Sequence, residues 1–345
     1  MLKKFSVNLL MMLVFSVGSL AVYPFSSFAD EVNIYSARKE ELIKPLLDEF
    51  TAKTGIQVNL LTGKADALLK RLEIEGINSP ADLLLTTDVG RLTRAQAAGV
   101  LQPIFSPTLD ADVPANLRDP DGYWYGLSVR ARTIMYAKDR VSPDENLTYE
   151  SLSDPKWKGR ILIRSSNNIY NQSLVASMIE ELGVEKTERW ARGLIANLAR
   201  SPKGGDRDQI RGVAAGEGDI CIANTYYLGK MLTSKKPEER AAASKIAIFW
   251  PNQNGRGTHI NISGAGVTKS AKNKENAIKL LEFLLSDDAQ KWYSEKNFEY
   301  PVKSGVAKSD VLKSWGEFKA DGLNLAVLGK NNAEAVRIMD RAGWK

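Results

Sequence analysis

The sequence predicts an α/β fold built in two parts, and three observations carry that expectation. Short β-branched runs alternate with longer stretches of helical periodicity, the pattern left by strands and helices in alternation. The chain has 345 residues; setting aside a leader leaves about 316, enough for two domains of roughly 150 residues, each with its own core. An extended run from Trp124 to Tyr136, rich in β-branched and aromatic residues yet holding Arg130 and Arg132, reads as a crossover joining the two parts.

The elements follow in order. Lys3 and Lys4 open a basic start, Leu9 to Val22 form an apolar stretch broken by Ser16, Gly18 and Ser19, and Ser27-Phe28-Ala29 offers a small-x-small cleavage site. That stretch falls short of the roughly 20 apolar residues a membrane span needs. Residues 1–29 are therefore expected to be a cleaved signal peptide, with the mature chain beginning at Asp30. No Cys follows the cleavage site, so a lipid anchor is not expected. Strands are predicted at Val32 to Ser36, Val58 to Leu61, Leu83 to Thr86, Ile161 to Ile163, Ile220 to Ala223, Ile246 to Trp250 and His259 to Val267. Their alternation with helices predicts a mainly parallel sheet. Leu42, Ile43, Leu46, Leu47 and Phe50 recur at helical spacing until Gly55, although Pro45 sits awkwardly in the first turn. Leu68, Leu69 and Leu72 mark a helix over Ala65 to Glu75, and Ile278, Leu281, Phe283, Leu284 and Leu285 another; these stripes are core.

Composition excludes several classes. The formal charge of +6 falls to +4 once Lys3 and Lys4 leave, and the basic residues are scattered among acidic ones, so no nucleic-acid partner is expected. Cys221 is alone, which rules out an internal disulfide; an exported chain without disulfides fits a bacterial periplasm. His259 is the single histidine, which removes most metal-hydrolase and triad arrangements and reads as a hydrogen-bonded structural residue. Gly63-Lys64-Ala65 lacks the Ser or Thr of a phosphate loop, and Cys221 in an apolar run reads as core. Asp287 with Asp288, and Glu180 with Glu181, fall on exposed helical faces. A secreted hydrolase working through carboxylates stays open as a rival, but no motif supports an enzyme.

Binding chemistry concentrates after strands. Asn224-Thr225-Tyr226-Tyr227-Leu228-Gly229 follows the strand Ile220 to Ala223, and Ser165 to Asn171 follows Ile161 to Ile163. Ligand sites of open α/β sheets form beyond the carboxyl ends of strands, so both loops are candidates. Phenol is a poor ligand until ionised, but a highly charged cation favours the deprotonated donor, and phenolate is a hard anionic oxygen suited to Fe(III). The same tyrosines could instead pack with one wet edge or stack on an organic solute.

Four segments taken in order, Asn33-Ile34-Tyr35-Ser36-Ala37-Arg38, Pro80 to Asp88, Tyr226-Tyr227 and Gly257-Thr258-His259-Ile260-Asn261, resemble the periplasmic ferric-ion-binding proteins. These are the capture components of iron ABC transporters, and the similarity spans the mature chain. The resemblance implies a two-lobed periplasmic solute-binding fold with a central cleft and a crossover-strand hinge. The implied first lobe is 30–131 plus 256–305, and the second is 132–255 plus 306–345. It further implies Fe(III) held by Tyr170, Tyr226 and Tyr227, delivery to an inner-membrane ABC permease, and a monomer. Where many members carry His, or His then Tyr, after the first strand, this chain reads Arg38-Lys39-Glu40. Such a site resembles members that complete the coordination with a synergistic anion, carbonate or bicarbonate. Arg38 and Arg130 match arginines that support the anion, with Asn168 and Ser36 as further donors and Glu40 and Asp88 as lesser cleft candidates.

Overall fold

The computed structural model describes residues 30–142 and 147–345. The expected signal peptide, residues 1–29, lies outside the described residues, among which no helix is long and apolar enough to cross a membrane. The described strands are β1 (Glu31–Ser36), β2 (Gln57–Thr62), β3 (Leu83–Thr87), β4 (Tyr125–Ala137), β5 (Ile161–Leu162), β6 (Ile220–Asn224), β7 (Ile246–Phe249) and β8 (Ile260–Val267). They run in the order β2-β1-β3-β8-β4-β6-β5, with β7 also on β4.

β4 is the spine. Its first half, from Tyr125 to Ala131, pairs with β8, and its second half, from Arg132 to Ala137, pairs with β6 and β7. One 13-residue strand therefore belongs to two sheet regions, and the change of partner falls between Ala131 and Arg132. The expectation of a mainly parallel sheet needs correction: β1 pairs in parallel with β2 and β3, and β5 with β6, but every pairing of β4 and β8 is antiparallel. Hydrophobic period reports which face is buried, not the direction of the neighbouring strand.

Helices cover the sheet as the apolar stripes required. Lys44–Thr54 buries Leu46, Leu47 and Phe50 and ends at Gly55, whose φ of 76° is left-handed, a conformation glycine takes without steric cost. Pro45 lies in its first turn, where its missing N–H has no intrahelical partner to lose. The helix accordingly begins at Lys44 rather than at Leu42, which sits in a preceding 3-10 turn. Ala65–Glu75 matches the expected span. Cys221 is buried in a cluster with Met135, Leu162, Ile210 and Met231, as expected of a core residue, and burial pushes its thiol well above the usual range.

The two sheet regions approach closely through their helices. A Cβ placed on Gly229, in the helix Thr225–Leu232, would lie 2.7 Å from Phe298 Cγ. One on Gly90, in the helix Val89–Ala97 after β3, would lie 3.0 Å from Ile169 Cδ1 in the helix Ile169–Leu182. These small residues let Phe298 pack on the helix that carries Tyr226 and Tyr227, and the helix Val89–Ala97 pack on the one that carries Tyr170.

Candidate metal centre between two helix N-termini

Tyr226 and Tyr227 occupy the first turn of the helix Thr225–Leu232, directly after β6. Tyr170 is the second residue of the helix Ile169–Leu182, where Asn168 Oδ1 accepts from the Tyr170 N–H at 3.1 Å and caps the helix. Both chain segments leave a strand and enter a helix, so both helix N-termini, with their partial positive charge, face the place where phenolates would form. The three rings meet. Tyr226 Oη donates to Tyr170 Oη at 3.3 Å across 56 positions of sequence, and the Tyr226 and Tyr227 rings lie 4.3 Å apart between centroids.

Cations surround them. The Arg130 and Arg164 guanidinium carbons lie 5.2 and 5.7 Å from the centre of the Tyr170 ring. Arg207 lies 5.9 Å from that of Tyr227, and Lys230 Nζ 5.6 Å from that of Tyr226. Burial alone disfavours the Tyr170 phenolate, but Arg130, the Tyr226 and Thr87 hydroxyls and Arg91 outweigh it, bringing Tyr170 below the ordinary phenol value. Burial, and then the neighbouring tyrosines, raise Tyr226. Burial, Tyr170 and Asp206 push Tyr227 up to about 12. Of the three, Tyr170 is therefore the easiest to ionise, while Tyr226 and Tyr227 hold their protons more tightly than an ordinary phenol.

Beneath the rings lies a fully buried carboxylate. Asp206 Oδ2 accepts from Arg132 Nη1 and from the Asn224 N–H, both at 3.0 Å, while Oδ1 accepts from Arg164 Nη1 at 3.2 Å. Asn224 is the N-cap of the tyrosine-pair helix, so Asp206 ties that helix to two guanidiniums at once.

The other predicted residues are distributed unequally. Arg130 is buried and spends its terminal nitrogens on Ser263 Oγ at 2.9 Å and the Ile262 carbonyl at 2.7 Å, leaving Nε without a partner. Arg38 is buried too, but its Nη2 binds the Glu299 carboxylate and Ser128 Oγ, and Ser128 also donates to Glu299. Ser36 Oγ accepts from the Arg38 N–H at 3.1 Å, closing the turn after β1. Glu40 is exposed on a 3-10 turn and its carboxylate makes no ion pair among the described residues. Asp88 is fully buried at the end of β3 and caps the following helix. His259 is buried and driven to a pKa of about 3 by burial and by Arg256, Arg132 and Arg130, so it is neutral. Its backbone is bonded to Tyr149 and Arg132, whereas its ring makes no hydrogen bond among the described residues, contrary to expectation.

Sequence reading missed Glu299, Asp206, Lys230, Arg164 and Arg207. Arg164 and Lys230 carried a usable signal, since each follows a strand within a few positions of a candidate tyrosine. Glu299 carried none, lying 261 positions from Arg38.

The model of the bacterial extracellular solute-binding proteins matches residues 78–322. The chain belongs to that family. Within it, the solute-binding protein is 52% identical over 315 residues to iron uptake protein A1 of Synechocystis, covering 91% of this chain and 88% of that one. It superposes with a TM-score of 0.89 and 56% identity on the Trichodesmium IdiA/FutA protein in complex with iron and citrate ligands, covering 91% of this chain and all of the other. A ferric binding protein from Campylobacter jejuni gives a TM-score of 0.86 at 42% identity, over 91% of this chain and 100% of that one. The expected kinship with the periplasmic ferric-ion-binding proteins and the two-lobed α/β fold are thereby established.

Proposed function

We propose that this solute-binding protein captures ferric iron in the periplasm through Tyr170, Tyr226 and Tyr227 and delivers it to an inner-membrane ABC permease. The observation that carries this reading is the meeting of the three tyrosine rings at two helix N-termini within a ring of cations. Three phenolates neutralise a trivalent ion, and the surrounding arginines favour their ionised form. The protein acts as a monomeric carrier and not as a catalyst, and residues 1–29 direct its export before being removed. The lobes are taken as 30–131 with 256–305, and 132–255 with 306–345; the exchange of β4 partners between Ala131 and Arg132 supports that division.

The remaining coordination positions go to a small oxyanion such as carbonate or bicarbonate, held by Arg130 and Arg38 with Ser36 and Asn168 nearby. Guanidinium forks match oxyanions. The Trichodesmium relative, described with iron and citrate, supports a carboxylate as an alternative occupant. For Arg38 to serve, it must share or exchange Glu299. Glu40 and Asp88 stand outside the ligand set.

The deciding experiment is elemental analysis and a visible spectrum of protein purified without chelator. Iron at one equivalent with an absorption band in the visible, lost on chelation, is the expected result; a colourless, iron-free protein that does not take up Fe(III) overturns the reading. The cation ring around the tyrosines favours a second possibility, a metal-free oxyanionic solute. Calorimetric titration with carbonate, phosphate and citrate, with and without Fe(III), separates the two.

A further inference from the structure

Asp88 has a backbone that needs explaining. With φ at 79° it is one of three described non-glycine residues at positive φ, a conformation that persists only where surrounding structure over-determines it. Its Oδ1 accepts from the Gly90 N–H at 3.0 Å, capping the helix Val89–Ala97. The same oxygen accepts from Ser173 Oγ at 2.7 Å. Ser173 lies three residues beyond Tyr170 on the helix Ile169–Leu182, so the two share a face.

The two helices follow strands in different regions of the sheet, β3 and β5. The bond therefore joins the Tyr170 helix to the helix that follows β3. The network continues into β8: the Asp88 N–H donates to the Ile262 carbonyl at 2.9 Å, and that carbonyl also accepts from Arg130 Nη2 at 2.7 Å. Asn261 Oδ1 accepts the neighbouring Val89 N–H at 2.9 Å. Tyr170 is thus approached by one connected assembly from two directions, by Arg130 against its ring and by Asp88 through Ser173 along its helix.

Asp88 Oδ2, meanwhile, is buried without a hydrogen-bond partner. A strained backbone and an uncompensated carboxylate oxygen both oppose folding.

We propose that Asp88 is a positioning residue for iron capture, clamping the Tyr170 helix across the cleft through Ser173 and so fixing where the Tyr170 oxygen meets the metal. This rests on Tyr170 being a ligand. The test compares Ser173→Ala, Asp88→Asn and the parent protein, each loaded with Fe(III), by the position of the visible band and the rate of iron loss to a competing chelator. Melting of each iron-free protein is measured beside them. Ser173→Ala, nearly isosteric, is expected to release iron about fivefold faster, the weight of one net hydrogen bond, and to shift the band, while iron-free melting falls by no more than that same hydrogen bond accounts for. Asp88→Asn keeps an acceptor and should release iron within about twofold of the parent. A coloured parent with Ser173→Ala unchanged in band and rate overturns the clamp alone. A lower melting point with unchanged band and rate assigns the contact to stability and also overturns it. A parent that takes up no iron overturns both the clamp and the reading on which it rests.

Discussion

The two faces of the cleft handle charge in opposite ways. On the tyrosine face, Asp206 engages Arg132, Arg164 and the cap of the tyrosine-pair helix, yet Arg130, Arg207 and Lys230 still stand over the rings. Positive charge is left in excess around the three rings. On the opposite face Arg38 is committed to Glu299 and Ser128, so its charge is already balanced. Under the proposed reading the tyrosine face is preorganised for a metal held by anionic oxygens, while the Arg38 face would have to change partners to contribute. A built-in carboxylate, Glu299, occupies the Arg38 guanidinium that the proposal assigns to an exogenous anion.

The largest expected effect breaks the tyrosine face directly. Replacing both Tyr226 and Tyr227 by Phe should abolish the visible band and one-equivalent iron uptake; a fully coloured double variant would falsify the ligand assignment. Removing the support beneath comes next. Asp206→Ala leaves the buried Arg132 and the partly buried Arg164 without their carboxylate and should destabilise the protein by about 3 kcal/mol, read by thermal or urea unfolding. An unchanged midpoint would show that the network is not structural.

Acidification comes third. Tyr226 and Tyr227 lie above the ordinary phenol value, itself well above neutrality, so near neutral pH both are protonated, and Fe(III) bound as proposed would displace their protons. Affinity should then fall as pH falls, by about tenfold per unit for each proton released; chelator competition across pH 8 to 5 checks this, and a flat profile counts against phenolate coordination. The mildest change sharpens the other face. Glu299→Gln removes the charge that holds Arg38 and should strengthen anion binding by about tenfold, measured by titrating the iron-loaded protein with carbonate or citrate. Anion affinity that is unchanged or weaker would place Arg38 outside the anion site.

Much of this arrangement was legible locally. Ala65–Glu75 was read at both ends, because its apolar stripe stops where Gly76 begins. The crossover was legible because a strand of 13 residues is about twice the usual length, long enough to serve two sheet regions in turn. Pro45 misled because its effect depends on position within the helix, and sheet direction was misread because strand periodicity is blind to it. At the site, Tyr226 and Tyr227 stood out by following a strand, while Tyr170 became specific only through family resemblance.

The sequence alone determined which residue types are present for chemistry: a tyrosine pair after a strand, a lone histidine, a cysteine without a partner, and arginines embedded in a crossover. Those are local properties, encoded in composition and spacing. Only the tertiary structure decided which charges meet, pairing Arg38 with Glu299, Asp206 with Arg132 and Arg164, and Asp88 with Ser173. Such contacts join residues tens to hundreds of positions apart, and their strength depends on burial and distance, which no local pattern records.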